Sequence, residues 1–429
     1  MKDIAAGLDR SCRHPASPLR KVGNARYCAG SAVIGWSRSL FQADENEMKT
    51  AAVQLLPSAR KIWLNIHLWL GLTFGFVLAL IGLSGSLLVF YGPLMQMELG
   101  YKVEGPTPAH FDIDGWIAAA HRAYPEIGTI DAVIGPGEAI GGAKVANLNV
   151  PSQDGWNLTI VVNPSNGQPL SKFRWEDTWT AEILRFHTRL SGRLAWSVDA
   201  IAWLAVAMLV SLVTGLYLWW PRNRNWSVAF TLKRGARGRR RLLDLHNLFA
   251  VYLYVPLLIL AFTGLYFVKP QWIEPAVWFL PVSETVDANA PPQTSKPGAC
   301  NARTSPGQAL DLAKVRFPSA KFVLMTIPKE PEGPYRIQLA LPNNINVKGQ
   351  THVVVDRECP IILSAVDGAA PAARETFRSV MFPLHANMML GTFGSAVVFL
   401  AGLLLPVSFV TGVLLWLDKR KNRRRATSA

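Results

Sequence analysis

The chain has 429 residues, half of them hydrophobic, and a mean hydropathy of +0.19. Only 17% are charged, below the roughly 25% of soluble domains, which excludes an ordinary soluble enzyme and points to a membrane protein with sizeable soluble parts. The net charge of +15 would raise nucleic acid as a partner, but the basic residues cluster at the ends of apolar segments and read instead as topology signals, so no nucleic-acid partner is expected.

Residues 1–47 are polar and hold no apolar run of secretory length. They are expected to be a disordered or mis-assigned N-terminal extension, with translation starting at Met48 instead of Met1; Cys12, Cys28 and His14 fall there and carry no functional weight. The first membrane helix is placed in 48–92. From Ile62 no charged side chain appears until Glu98, enough to span a bilayer core. His67 stands near its start, with Ser84-Gly85 following. Residues 93–186 form a first soluble domain, opening on Pro93 to Glu98, then an amphipathic stretch ending at Tyr124-Pro125 and a strand-like run, 156–163. The run from Gly135-Pro136-Gly137 to Gly141-Gly142 fails nucleotide-loop spacing and reads as a turn.

A second membrane helix is placed in 187–222, a basic loop in 223–244 and a third helix in 245–268, where His246 is followed by Thr263-Gly264. A second soluble domain, 269–384, repeats the plan of the first: Pro270 to Glu274, a helical stretch ending at Phe317-Pro318, and strands at 335–341 and 351–356. The fourth helix, 385–417, precedes a basic tail, 418–429. Pro256 and Pro406 predict kinks in the third and fourth helices. Arg60 and Lys61, the loop arginines and the tail all fall on one side, which the positive-inside rule makes cytoplasmic. Both termini are then cytoplasmic and both soluble domains lie outside.

His187 precedes Thr214-Gly215 by nearly the interval at which His385 precedes Thr411-Gly412. The chain therefore reads as a duplication, helix–domain–helix twice over, with the halves related by an axis along the membrane normal. The expected fold class is a four-transmembrane-helix bundle with two α+β outer domains. His67 with His246 would lie near one face and His187 with His385 near the other, two candidate pairs at matched depth. A lone histidine at a helix end is usually an interfacial residue; four at repeat-equivalent positions in charge-free segments are candidate ligands. His110, His121 and His352 lack repeat partners and read as surface residues. Trp63, Trp69, Trp219, Trp220 and Trp416 fit an aromatic belt first, though some could line a cofactor pocket, and the Thr-Gly pairs fit close approach of another helix or a flat macrocycle, with packing as their first role.

His67 with Gly71, the run Thr214 to Arg222, Leu245-His246 and Pro383-Leu384-His385 resemble the PepSY-associated transmembrane proteins, over about 48–425; Ala250 departs from the pattern where the first repeat has Gly71. The resemblance implies a bacterial inner-membrane, iron-regulated protein with periplasmic PepSY-like domains, some members of which are ferric-siderophore reductases. It implies two b-type haems held by His67, His246, His187 and His385, since paired neutral imidazoles suit electron-transfer haem. A ferric siderophore or chelate is then the substrate, and a membrane quinol or separate cytoplasmic reductase the donor, because no flavin or nicotinamide motif is present. Zinc or a di-metal centre fits less well, as no carboxylate accompanies either pair. Cys300 and Cys359, both in the second outer domain, are expected to form a disulfide. Two other classes remain open: a peptide- or protease-binding module on a membrane anchor, and a permease for the iron complex. One difficulty attends the conduit. A continuous helix from His385 to Trp416 would separate the two faces by about 45 Å.

Overall fold

In a computed structural model of the chain, the structure describes residues 59–427 apart from 138–143, 152–156, 193, 223–224, 283–299, 301–302, 331–332, 343, 345–348, 370 and 387. The extension 1–47 and part of the glycine-rich turn lie outside the described residues.

The first half contributes α1 (Ala59–Thr73), α2 (Gly75–Leu88), α3 (Tyr91–Leu99), α4 (Ile113–Ala123), strands β1 (Ala132–Ile134), β2 (Ala146–Pro151), β3 (Asn157–Val162) and β4 (Pro169–Arg174), then α5 (Trp179–Arg189) and α6 (Ala195–Trp219). The second half lists the same elements in the same order: α7 (Gly238–Tyr252), α8 (Tyr254–Val268), a single turn at Pro270–Ile273, α9 (Pro306–Arg316), β5 (Lys321–Thr326), β6 (Tyr335–Ala340), β7 (Thr351–Val355), β8 (Ile362–Val366), α10 (Ala373–His385) and α11 (Gly391–Thr427).

Two helices, α6 and α11, are long and apolar enough to cross a membrane unbroken, and the pairs α1–α2 and α7–α8 qualify if each bent pair is one span. The bends are 61° and 60°. This corrects the expected kinks. The first pair breaks at Phe74 without any proline, and the second at Leu253, exactly 179 positions on, so the bend belongs to the repeated plan and not to Pro256 alone. Helical hydrogen bonds continue across both breaks, Phe74 N to Leu70 O at 3.0 Å and Leu253 N to Phe249 O at 3.2 Å, as a low-dielectric surround demands. α11, by contrast, runs past Pro406 as one helix. The outward faces carry exposed Phe76, Trp203, Val255 and Phe393, an apolar surface suited to lipid.

Helices α2 and α11 cross closely at two glycines. A methyl group on Gly82 would lie 2.9 Å from the Gly402 carbonyl oxygen, and Ser86 Oγ donates to the Phe399 carbonyl at 2.7 Å.

The strands revise the expectation of two separate outer domains. All eight form one antiparallel sheet, ordered β4-β3-β2-β1-β5-β6-β7-β8. The halves join where Val133 faces Met325, with Ala132 opposite Thr326 and Ile134 opposite Leu324. Each half alone would leave a strand edge unpaired; each closes the other's. Helices α4 and α9 then share one core, in which Trp116, Val133, Leu148, Ile160, Met325 and Ile337 are almost wholly buried. Asp114 of α4 accepts from Ser305 Oγ at 2.5 Å and from Gly307 N at 3.1 Å, satisfying orphan donors at the start of α9. Cys300 and Cys359 are disulfide-bonded, their Cα atoms 5.4 Å apart.

Candidate functional site

The four histidines gather into two pairs. The rings of His67 (α1) and His246 (α7) have centroids 6.3 Å apart, and those of His187 (α5) and His385 (α10) are 6.1 Å apart. Two imidazoles sharing one ion through opposed nitrogens at about 2.0–2.1 Å would place their ring centres roughly 6.3 Å apart. Both pairs have the spacing for one metal between them.

Each ring is fixed in the same way. His67 Nδ1 lies 3.1 Å from the Ser211 carbonyl oxygen and 3.0 Å from Thr214 Oγ1. His246 Nδ1 lies 3.0 Å from both the Ser408 carbonyl oxygen and Thr411 Oγ1. His187 Nδ1 meets the Ile81 carbonyl oxygen at 3.0 Å and Ser84 Oγ at 3.1 Å. His385 Nδ1 meets Thr263 Oγ1 at 2.8 Å and the Leu260 carbonyl. A carbonyl can only accept, so each Nδ1 carries the proton and donates it, and each Nε2 keeps its lone pair. Among the described residues no hydrogen bond is made to those Nε2 atoms. A donor bond that fixes the ligating nitrogen from behind is what metal-bound histidines use.

A glycine follows each of these hydroxyl residues, and each glycine gives the ring its seat. A Cβ built on Gly85 would stand 2.9 Å from His187 Cε1; on Gly215, 3.1 Å from His67 Cε1; on Gly264, 3.4 Å from His385 Cε1; on Gly412, 3.5 Å from His246 Cε1. The Ser/Thr-Gly dipeptides, read from the sequence as packing devices, therefore clasp imidazoles. The sequence also attached Gly85 to His67 and Gly264 to His246 by spacing. In the folded chain these two glycines serve the other pair.

Helices α5 and α10, which carry the second pair, are not the membrane helices themselves. Chain reversals separate them from α6 and α11, through positive φ at Leu190 and Ser191 and at Gly391. Each is fastened by an acid that follows the preceding span. Glu98 accepts from the Trp179 and Thr180 amides and the Thr180 hydroxyl at 2.6–3.1 Å, holding the start of α5. Glu274 takes a bidentate pair from Arg378 of α10 at 3.0 and 2.7 Å, which holds its carboxyl below the usual range. His187 and His385 are thus folded back against α2 and α8, which shortens the separation that a continuous helix from His385 would impose. Gly85, seat of the outer pair, lies only ten residues along α2 from Gly75, a wall of the inner cavity, or about 15 Å.

That cavity lies beside His67 and His246, measures about 590 Å³ and is walled mostly by apolar side chains from α1, α2, α6, α7, α8 and α11. Its size falls within the range of organic-ligand sites. Trp219 and Trp416, expected in an aromatic belt, line it, whereas Trp69 and Trp220 face outward. Among the described residues no three His, Cys, Asp or Glu side chains are grouped to hold a metal ion. The size and mostly apolar walls of the cavity suit a flat organic group beside this pair. His110 lies exposed beside Asp311 at 3.4 Å and His121 is exposed. His352, expected at the surface, is half-buried in β7, and burial lowers its pKa.

Fold and site together define a membrane protein whose apolar helices carry paired imidazoles beneath an antiparallel sheet. The family model for the PepSY-associated TM region matches residues 64–419, and the chain belongs to that family. No curated protein matches the chain.

Proposed function

We propose that the chain is a bacterial inner-membrane electron conduit that reduces ferric iron, held by a siderophore or another chelate, at the outer face. In this reading the bent pairs each count as one span, giving four crossings in a duplicated bundle, with the basic ends and both termini cytoplasmic and the sheet periplasmic. His67 with His246 and His187 with His385 would each ligate one b-type haem, whose iron supplies reversible one-electron chemistry when bound. One observation carries the proposal: four imidazoles, each donating from Nδ1 to a carbonyl and seated on a glycine, face each other in two pairs at the spacing of a shared ion.

The protein's own part is orientation and exclusion. Nδ1 donation holds each ring in one tautomer and raises its basicity, so that each pair could hold a haem iron for electron transfer in preference to oxygen chemistry. The walls beside the inner pair are mostly apolar, which lowers the dielectric around the rings. Each turnover moves one electron outward and converts one Fe(III) to Fe(II); hard siderophore oxygens hold Fe(II) less tightly, so the metal is released. The donor would be a membrane quinol or a separate cytoplasmic reductase.

The test is a dithionite-reduced minus oxidised spectrum of protein purified from haem-replete cells, with haem content per chain. A b-type signal that falls by half in H246A or H385A and vanishes in the double variant supports the conduit. Colourless wild-type protein overturns it.

A further inference from the structure

The lining of the inner cavity is mostly apolar but includes three cations from three helices: Arg60 of α1, Arg239 of α7 and Lys419 of α11. Two of them are related by the repeat. Arg60 and Arg239 are 179 positions apart, as are His67 and His246, so each arginine stands seven residues before its histidine. Seven residues are two helical turns, which puts arginine and histidine on one helix face about 10.5 Å apart along the axis. Arg60 spends one donor on the Leu218 carbonyl oxygen at 3.0 Å, which anchors the guanidinium. Arg239 Nε lies 3.7 Å from Asp418 Oδ2, a loose and largely solvated contact. Its neighbour Arg240 instead pairs closely with buried Asp244 at 2.8 Å, so within that run it is Arg239 that lines the cavity.

We propose that Arg60 and Arg239 bind the two carboxylates of a flat apolar macrocycle seated between His67 and His246, one guanidinium to each, with Lys419 as an auxiliary cation. The assignment rests on the haem reading above and adds the orientation: the acidic edge faces the helix ends remote from the sheet. A ligand with two acids on one edge, entering a site built by two-fold repetition, meets one arginine from each half. Guanidinium forks suit carboxylates geometrically. Cations serving only as topology signals would not need to fall in register with the ligand pair.

The test uses the full-length holoprotein in detergent and follows transfer of haem to excess apomyoglobin. In R60Q/R239Q the inner-site haem should leave about tenfold faster per arginine removed, R60K/R239K should be intermediate, and the outer-site haem, isolated in an H246A background, should leave at its wild-type rate. Apoprotein should also prefer haem to haem dimethyl ester, and the double glutamine variant should lose that preference. Coloured wild-type protein whose double variant releases haem at the same rate, or that takes haem and its ester equally, overturns the assignment alone. Wild-type protein without haem overturns both this and the underlying function.

Discussion

The two histidine pairs are built from the same device but set in different ground. The inner pair rides on α1 and α7, each the first member of a bent helix pair, beside a mostly apolar cavity whose lining includes Arg60, Arg239 and Lys419. The outer pair rides on α5 and α10, short helices that descend from the sheet and are fastened by Glu98 and Glu274. The inner rings stand nearly perpendicular, at 83°, and the outer rings at 59°. In both, every histidine is held by a hydroxyl, a carbonyl and a glycine of its own half, and only the facing ring comes from the other half. Each half is therefore half of both sites, and docking the halves completes them. The inner site depends on helix packing; the outer one depends also on the sheet.

The largest expected effect comes from breaking one pair and leaving the other. On the proposed function, H246A should abolish the inner haem signal and reduction of ferric chelate together, while H385A should remove the outer signal and the same activity, because a series conduit would fail at either point; haem content by pyridine haemochrome and chelate reduction by purified protein check both. Next comes the sheet. V133D would bury an uncompensated carboxylate where β1 meets β5, at about 3 kcal/mol or more. Thermal melting should fall, and the outer haem should be lost before the inner one; equal loss would refute the dependence drawn above.

The glycine seats give a graded comparison. G85A places a methyl 2.9 Å from His187, whereas G412A places one 3.5 Å from His246. The first should cost about 1–3 kcal/mol and displace the outer haem's midpoint potential; the second should leave the inner potential near wild type, and redox titration of each variant reads the order. The smallest effect concerns the Glu274–Arg378 clamp. Arg378 holds the Glu274 carboxyl below its ordinary range, so the clamp's stabilisation is complete above the unfolded carboxylate pKa, near 4.3, and is lost as pH falls through the lower folded value. R378Q should flatten that acid limb in melting temperature measured between about pH 3 and pH 6, its small deficit against wild type being fully present at neutral pH and vanishing as Glu274 is protonated.

Much of the plan was legible because the chain writes it twice. Histidines recurring at repeat-equivalent positions identified all four rings, and their depths relative to the basic loops assigned partners that the folded chain brings within about a ring's reach. The strand runs at 335–341 and 351–356 and the helical stretch ending at Phe317 fall on β6, β7 and α9, since alternation and amphipathic spacing are local signals. The role of Ser84, Thr214, Thr263 and Thr411 was hidden, although the recurring Ser/Thr-Gly dipeptide marked it, because a hydroxyl's acceptor is chosen across helices and not along one.

The amino-acid sequence alone determined apolar spans, basic ends, repeated histidines and two families of strands, since each depends on composition or on period within a segment. Only the tertiary structure decided that the strands make one sheet, that the pairs α1–α2 and α7–α8 bend at Phe74 and Leu253, and that α5 and α10 fold back against α2 and α8. Those outcomes turn on which free edge, ring or backbone donor finds a partner far along the chain, and distant satisfaction of that kind leaves no local periodicity to read.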